Sequence, residues 1–158
     1  MPVEIRPATP GDAGRLTEID ALVNARPRSA ELMEAICRSA AGSPGPGRCS
    51  GETALVLELE GQVCGFVAFS RVLDEASIHD IAVHPMRQGR GLGRSLLDAA
   101  LREMKRDGAN RCLLEVRESN GAARGLYRAA HFQPDGVRKN YYPSGSGRED
   151  ALLMSRQL

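Results

Sequence analysis

Residues 87–94, Arg-Gln-Gly-Arg-Gly-Leu-Gly-Arg, decide how this chain is read. They lie between a strand-like run, Ile78-His79-Asp80-Ile81-Ala82-Val83, and a segment with apolar residues at Leu92, Leu96, Leu97, Ala100, Leu101 and Met104. That recurrence marks one face of an amphipathic helix. A glycine loop feeding a helix N-terminus lets bare backbone approach a phosphate, where N–H groups and the helix dipole favour an anion. The flanking arginines add charge-assisted hydrogen bonds. The stretch therefore reads as a pyrophosphate cradle. No Lys-Ser or Lys-Thr follows the glycines, which argues against a nucleoside-triphosphate P-loop. Gly89, Gly91 and Gly93 give G-x-G-x-G, not the dinucleotide fingerprint G-x-G-x-x-G. The spacing present is Gln88-x-x-Gly91-x-Gly93.

Working outward, Val3–Arg6 opens a first strand, and Thr9 followed by Pro10 starts a helix. A second helix is expected from Ser29 to about Ser39, and the breaker-rich 41–47 segment reads as a flexible loop. Strands at Thr53–Leu59 and Val63–Arg71 meet at a tight Glu60-Gly61 turn. A third strand, Ala76–Val83, leads into the glycine loop. The helix after it ends near Gly108. A buried strand at Arg111–Val116, a helix at Asn120–Ala130 and a closing hairpin from Gln133 complete the chain. The order β-α-α-β-β-β-α-β-α-β-β predicts an α/β (α+β) fold: a single mixed, mostly antiparallel sheet flanked by helices.

The 158 residues suit one domain spanning 1–158, large enough to bury a core without staples. A net charge of +1 argues against a broad nucleic-acid footprint. No apolar run approaches a membrane span, and the N-terminus lacks a signal-peptide pattern. A soluble cytoplasmic protein is expected. Cys37, Cys49, Cys64 and Cys112 show no C-x-x-C pairing and no histidine at ligand spacing, so no metal site is expected. Cys64 and Cys112 read as core thiols, and the three histidines as structural.

Two residues could carry chemistry. Glu115 is a lone carboxylate in Cys112-Leu-Leu-Glu-Val116, a run typical of a central strand, where burial would raise its pKa towards a general base's range. The alternative is an ion pair with Arg111 or Arg117; Arg111 lies four residues away, and Arg117 is assigned to the opposite face of the strand. Tyr127 sits on the inner stripe of the Asn120–Ala130 helix, with small residues at Ala122 and Ala123. Its hydroxyl is either a proton donor or a core group bonded to a carbonyl.

From Val72 to Met154 the chain resembles the RimI-type ribosomal-protein-alanine N-acetyltransferases of the GCN5-related N-acetyltransferase (GNAT) superfamily. The matching stretches are Val72–Ala76, Ile81–Val83, Arg90–Arg94, Leu114–Arg117, Ser119-Asn120, Leu126-Tyr127, Asn140–Pro143 and Glu149–Ala151. The resemblance implies a GNAT fold with acetyl-CoA as co-substrate. It makes Glu115 general base and Tyr127 general acid. It sets acetyl-CoA contacts at Ile81, Ala82 and Val83, at Gly89, Arg90, Gly91, Leu92, Gly93 and Arg94, and at Asn120, with Gln88 opening the loop motif. The implied acceptor is a protein N-terminus, above all the N-terminal alanine of the eighteenth small-subunit ribosomal protein, with direct transfer in a ternary complex. Tyr141 and Tyr142 are the candidate acceptor-binding residues; adjacent on a strand, they are expected to face opposite ways, one towards the substrate. The chain departs from the pattern in having no tryptophan, with Ala25-Arg26-Pro27-Arg28-Ser29 where an aromatic Pro-Trp element is usual, and in placing His131 before Phe132 where glycine is common. Acetylation of a small amine or a lysine side chain, or a non-catalytic acyl-CoA-binding module, are the alternatives on the same fold.

Overall fold

The computed structural model describes residues 2–42, 51–145 and 147–158; most of the 41–47 loop therefore lies outside the described residues, as does Cys49. The elements are β1 (Val3–Pro7), α1 (Ala13–Val23), α2 (Ala30–Ala41), β2 (Thr53–Leu59), β3 (Gln62–Val72), β4 (Glu75–Val83), α3 (Leu92–Arg106), β5 (Arg111–Arg117), α4 (Gly121–Ala129), β6 (Gln133–Ser144) and β7 (Gly147–Gln157). Their order follows the sequence expectation. Thr9 and Asp12 form a capping box, though on a short 3-10 turn, Pro10–Asp12, that precedes α1.

One seven-stranded sheet runs β1-β2-β3-β4-β5-β7-β6. All neighbours are antiparallel except β4 and β5. That exception follows from the β4-α3-β5 crossover, since strands joined through a helix return parallel. Helices cover both faces, which explains why β2 and β3 read as continuous apolar runs. On one face, Leu96, Leu97, Ala100 and Met104 of α3 pack with Leu55, Leu57, Val67, Phe69, Cys112 and Leu114. On the other, Leu16 and Ile19 of α1 and Met33 and Ile36 of α2 pack with Val56, Phe66, Ala68 and Ala82. Gly65 marks the tightest approach: a β-carbon there would lie 3.0 Å from the Ala82 carbonyl oxygen and 3.1 Å from Leu96 Cδ1.

The parallel β4–β5 pairing stops at Ile78 opposite Leu114. Just there the β3–β4 register shifts, Asp80 facing Ala68 while Ile78 faces Phe69, so His79 is the extra residue of a bulge. β5 continues against β7 from Glu115 to Arg117. The two strands therefore part, and the β5-facing edge of Asp80–Val83 is left without a strand partner among the described residues. This gap positions the site.

Among the described residues no helix is long and apolar enough to cross a membrane.

Candidate active site

The gap opens into a cavity of about 1160 Å³ that runs through to both faces of the sheet. One end is built by the glycine loop. Gly89 and Gly91 hold φ of +79° and +77°, a left-handed conformation that glycine adopts without strain, with open space where a side chain would begin. Gly91 is the N-cap of α3, and the first intrahelical bond comes only from the Ser95 N–H to the Gly91 carbonyl, at 3.1 Å. The amides of Leu92, Gly93 and Arg94 thus have no intrahelical acceptor. The Gln88 side chain pins the loop to β4 by donating to the Val83 carbonyl at 2.9 Å. Bare amides at a helix N-terminus with room in front of them fit a pyrophosphate.

Of the sequence-predicted contacts, Ile81, Val83, Gln88, Gly89, Gly91, Leu92, Gly93, Arg94 and Asn120 line this cavity. Ala82 does not; it is buried in the α1–α2 face of the core. Arg90 is exposed and also outside the lining. The Leu92 side chain belongs to the core, which leaves its backbone for a ligand. Arg94 is paired with Asp98 at 3.0 Å. Asn120 caps α4, its Oδ1 accepting from the Ala123 N–H at 3.1 Å. Ala122 and Ala123 keep the adjoining wall thin.

Tyr127 lines the same cavity, 7% exposed, with its ring edge-on to Phe132 at 5.7 Å. Its hydroxyl has no hydrogen-bond partner among the described residues, contrary to the core alternative of a bond to a carbonyl. Burial, with Asp80 adding to it, pushes the phenol well above its ordinary pKa, so it stays a proton donor. The turn after α4 is closed by His131 at φ +69°, which takes the left-handed position usual for glycine.

Glu115 lines the same cavity, but the burial expected for it is absent: its side chain is 34% exposed and bonded to Arg138 Nη1 at 2.8 Å. Strand alternation explains this, because Cys112, Leu114 and Val116 enter the α3-side core while Glu115 faces the other side of the sheet. Arg117, two residues on, shares Glu115's face rather than opposing it, and is engaged by Glu149 at 2.9 Å. The partner of Glu115 is thus neither Arg111 nor Arg117. Cys112 points into the core, its thiol pushed up to about 12 by burial.

Tyr141 and Tyr142 are also corrected. Their rings touch edge-on, with centroids 4.9 Å apart, instead of facing opposite ways. The β6–β7 register breaks between Arg138 and Tyr142, and Asn140 sits at φ +52°, so simple alternation fails there. Tyr142, under the Arg117 guanidinium at 4.5 Å, lines the cavity; Tyr141 is 40% exposed beneath Arg138.

The cavity's other end was anticipated from sequence only through Ala25–Ser29, which stands where an aromatic Pro-Trp element is usual. It is lined by Asn24, Ala25, Arg26 and Arg28 from the α1–α2 connection and by Glu52, His79 and Asp80. Arg28 bonds Glu52 at 2.9 Å and Asp80 at 3.2 Å. His79 Nε2 lies 2.7 Å from the Ser70 hydroxyl, and burial lowers its pKa, which favours the neutral imidazole. Burial likewise pushes the Asp80 carboxyl up, against the pull of Arg28. The signal that singled out Glu115, one carboxylate in an apolar strand, was also present at Asp80.

Comparison with known proteins agrees with this geometry. The acetyltransferase (GNAT) family matches residues 24–132. The [ribosomal protein bS18]-alanine N-acetyltransferase of Escherichia coli K12 is 43% identical over 107 residues, 66% of this chain and 72% of that protein. The crystal structure of the E. coli ribosomal-protein-S18-alanine N-acetyltransferase superimposes with a TM-score of 0.82 at 32% identity, over 99% of this chain and 94% of that one. The yncA protein of Salmonella typhimurium, solved with acetyl-CoA, gives a TM-score of 0.81 at 25% identity, over 100% and 95%.

Proposed function

We propose that this chain, which belongs to the acetyltransferase (GNAT) family and takes acetyl-CoA as co-substrate, acetylates the α-amino group of a protein N-terminus. A cytoplasmic ribosomal protein beginning with alanine, the eighteenth of the small subunit, is the acceptor that the relatives' activity favours. One observation carries the mechanism. Glu115 and Tyr127 flank the β4–β5 gap from opposite faces of the sheet, in the cavity that also holds the glycine cradle.

The thioester supplies an activated acetyl group, anchored by its pyrophosphate at Gly89–Arg94, with Asn120 a further contact of acetyl-CoA. Glu115, through a water, takes a proton from the acceptor ammonium; an α-amino group has a pKa near ~8, so little driving force is needed. The free amine attacks the carbonyl carbon once held within about 3–3.5 Å. The unpaired edge of β4 at Ile81–Val83 offers N–H groups to the charge developing on the carbonyl oxygen. As the carbon–sulfur bond breaks, Tyr127 gives its proton to the sulfur, and the proton that the nitrogen sheds on becoming an amide returns through water to the Tyr127 phenolate. Tyr142 flanks the acceptor.

The test is a steady-state comparison of an alanine-first peptide with free lysine and an aminoglycoside. The peptide should show the higher kcat/KM. Preference for a lysine side chain or a small amine would overturn the N-terminal reading, and no turnover on any amine would favour a binding module.

A further inference from the structure

The α1–α2 connection, residues 24–29, forms a wall of the acceptor end of the cavity, yet it has no regular secondary structure of its own. A hydrogen-bond network fixes its path. Asp20, fully buried in the last turn of α1, accepts from the Arg28 backbone N–H at 2.8 Å and from the Asn24 side-chain amide. That amide also donates to Asp80 at 2.6 Å. The Arg28 guanidinium spans Asp80 and Glu52. The connection is therefore tied at both its ends to β4, at the residue immediately before Ile81.

Stability alone explains such an array poorly. Two carboxylates share one guanidinium and a third takes its backbone N–H, and replacing such an ion cluster by apolar side chains of similar size is often neutral or stabilising. A planar guanidinium does, however, fix two carboxylates in one geometry, which is a positional service. Position is what this wall requires, because an acceptor peptide must deliver its amine to within bonding distance of a carbon held beside Ile81.

We propose that Arg28 and Asp80 are positioning residues for the acceptor: they clamp the 24–29 connection to β4 and so hold the wall against which the first residues of the peptide lie. This rests on the N-terminal acetyltransferase reading above. Among the described residues neither side chain bonds the glycine loop, so the clamp acts on acceptor binding and leaves acetyl-CoA binding alone. It also acts on an extended acceptor more than on a minimal one.

The experiment measures kcat and both KM values for the wild type, Asp80→Asn and Arg28→Lys, with an alanine-first hexapeptide and with alaninamide. Asp80→Asn keeps size but loses charge; Arg28→Lys keeps charge but cannot span two carboxylates. Each should raise the hexapeptide KM roughly tenfold, about the worth of one charge-assisted hydrogen bond. The acetyl-CoA KM should stay within about twofold, and alaninamide should be far less affected. Should Asp80→Asn fail to fold, Glu52→Gln, which loosens the same guanidinium from its other side, takes its place. An unchanged hexapeptide KM in folded variants overturns the inference alone, as does an equal rise in the acetyl-CoA KM. A wild-type enzyme that prefers alaninamide to the hexapeptide overturns the function reading and this inference together.

Discussion

Replacing Gly91 by aspartate isolates the anion cradle from every other part of the site. In the free protein there is room for the new side chain, since nothing lies within 4 Å of a β-carbon built at Gly91. The direct cost is conformational, about 1 kcal/mol for an L-residue held at φ +77°. That lowers Tm by only a few degrees in a chain of this size. The cost to binding is larger. A carboxylate about 5 Å from one phosphate charge, at an effective dielectric near 20, is repelled by about 3 kcal/mol. Roughly 10²-fold weaker binding of CoA follows, before the lost close approach of the backbone is counted. Gly61 supplies a matched control, because it has the same φ of +77° and the same open space but sits in the remote β2–β3 turn. Gly61→Asp should lose comparable stability and bind CoA normally; Gly91→Ala should show the strain without the charge. Titration calorimetry with CoA and acetyl-CoA, which should bind alike, checks all three variants. Unimpaired binding by Gly91→Asp, or equal impairment by Gly61→Asp, would refute the assignment.

Glu115→Gln and Tyr127→Phe should each cut kcat by ~10²–10⁴-fold with acetyl-CoA affinity kept. Both should keep near-wild-type Tm, because the first removes only an exposed ion pair and the second a hydroxyl without a partner; wild-type turnover by either variant across pH 6–9 would remove its role. Asp12 accepts from Arg6 at 2.8 Å and from the Thr9 N–H at 2.8 Å, and these bonds, Arg6 foremost, hold its carboxyl below the ordinary range. A carboxyl with a lowered folded-state pKa stabilises above its unfolded pKa and loses that contribution as pH falls through the folded one. Asp12→Asn should therefore unfold about 2 kcal/mol more easily than wild type at pH 7, the gap closing below about pH 4; a gap independent of pH in urea titrations would contradict this.

What the sequence made legible is what repeats locally. Strand β2 falls on Thr53–Leu59 as expected, because an apolar run between Gly51 and the Glu60-Gly61 turn has one reasonable reading. The path of the glycine loop was legible because Gly89 and Gly91 take positive φ without strain. The Arg28 network was not, because its links to Glu52 and Asp80 join residues 24 to 56 positions apart, and periodicity carries no information about such pairs. The burial expected at Glu115 failed for a related reason. Leu114 and Val116 beside it are apolar, but alternation sends them into the α3-side core and leaves Glu115 on the other face, lining the cavity. At Tyr141 and Tyr142 the rule of alternation was right and the strand was not regular.

The parting of β4 and β5 also bears on the choice between direct transfer and an acetylated enzyme. Tyr127 belongs to the α3-side core and Glu115 to the opposite face, so in the proposed reaction a thioester reaching the gap from one side would meet an amine arriving from the other. A covalent route needs a nucleophile at the gap, and Cys112 is the thiol on the strand that borders it. Its side chain is fully buried and directed into the core, and a pKa of about 12 keeps it protonated at neutral pH. Cys112 is thus unsuited to a covalent route, which supports the proposed direct attack of the amine on the thioester.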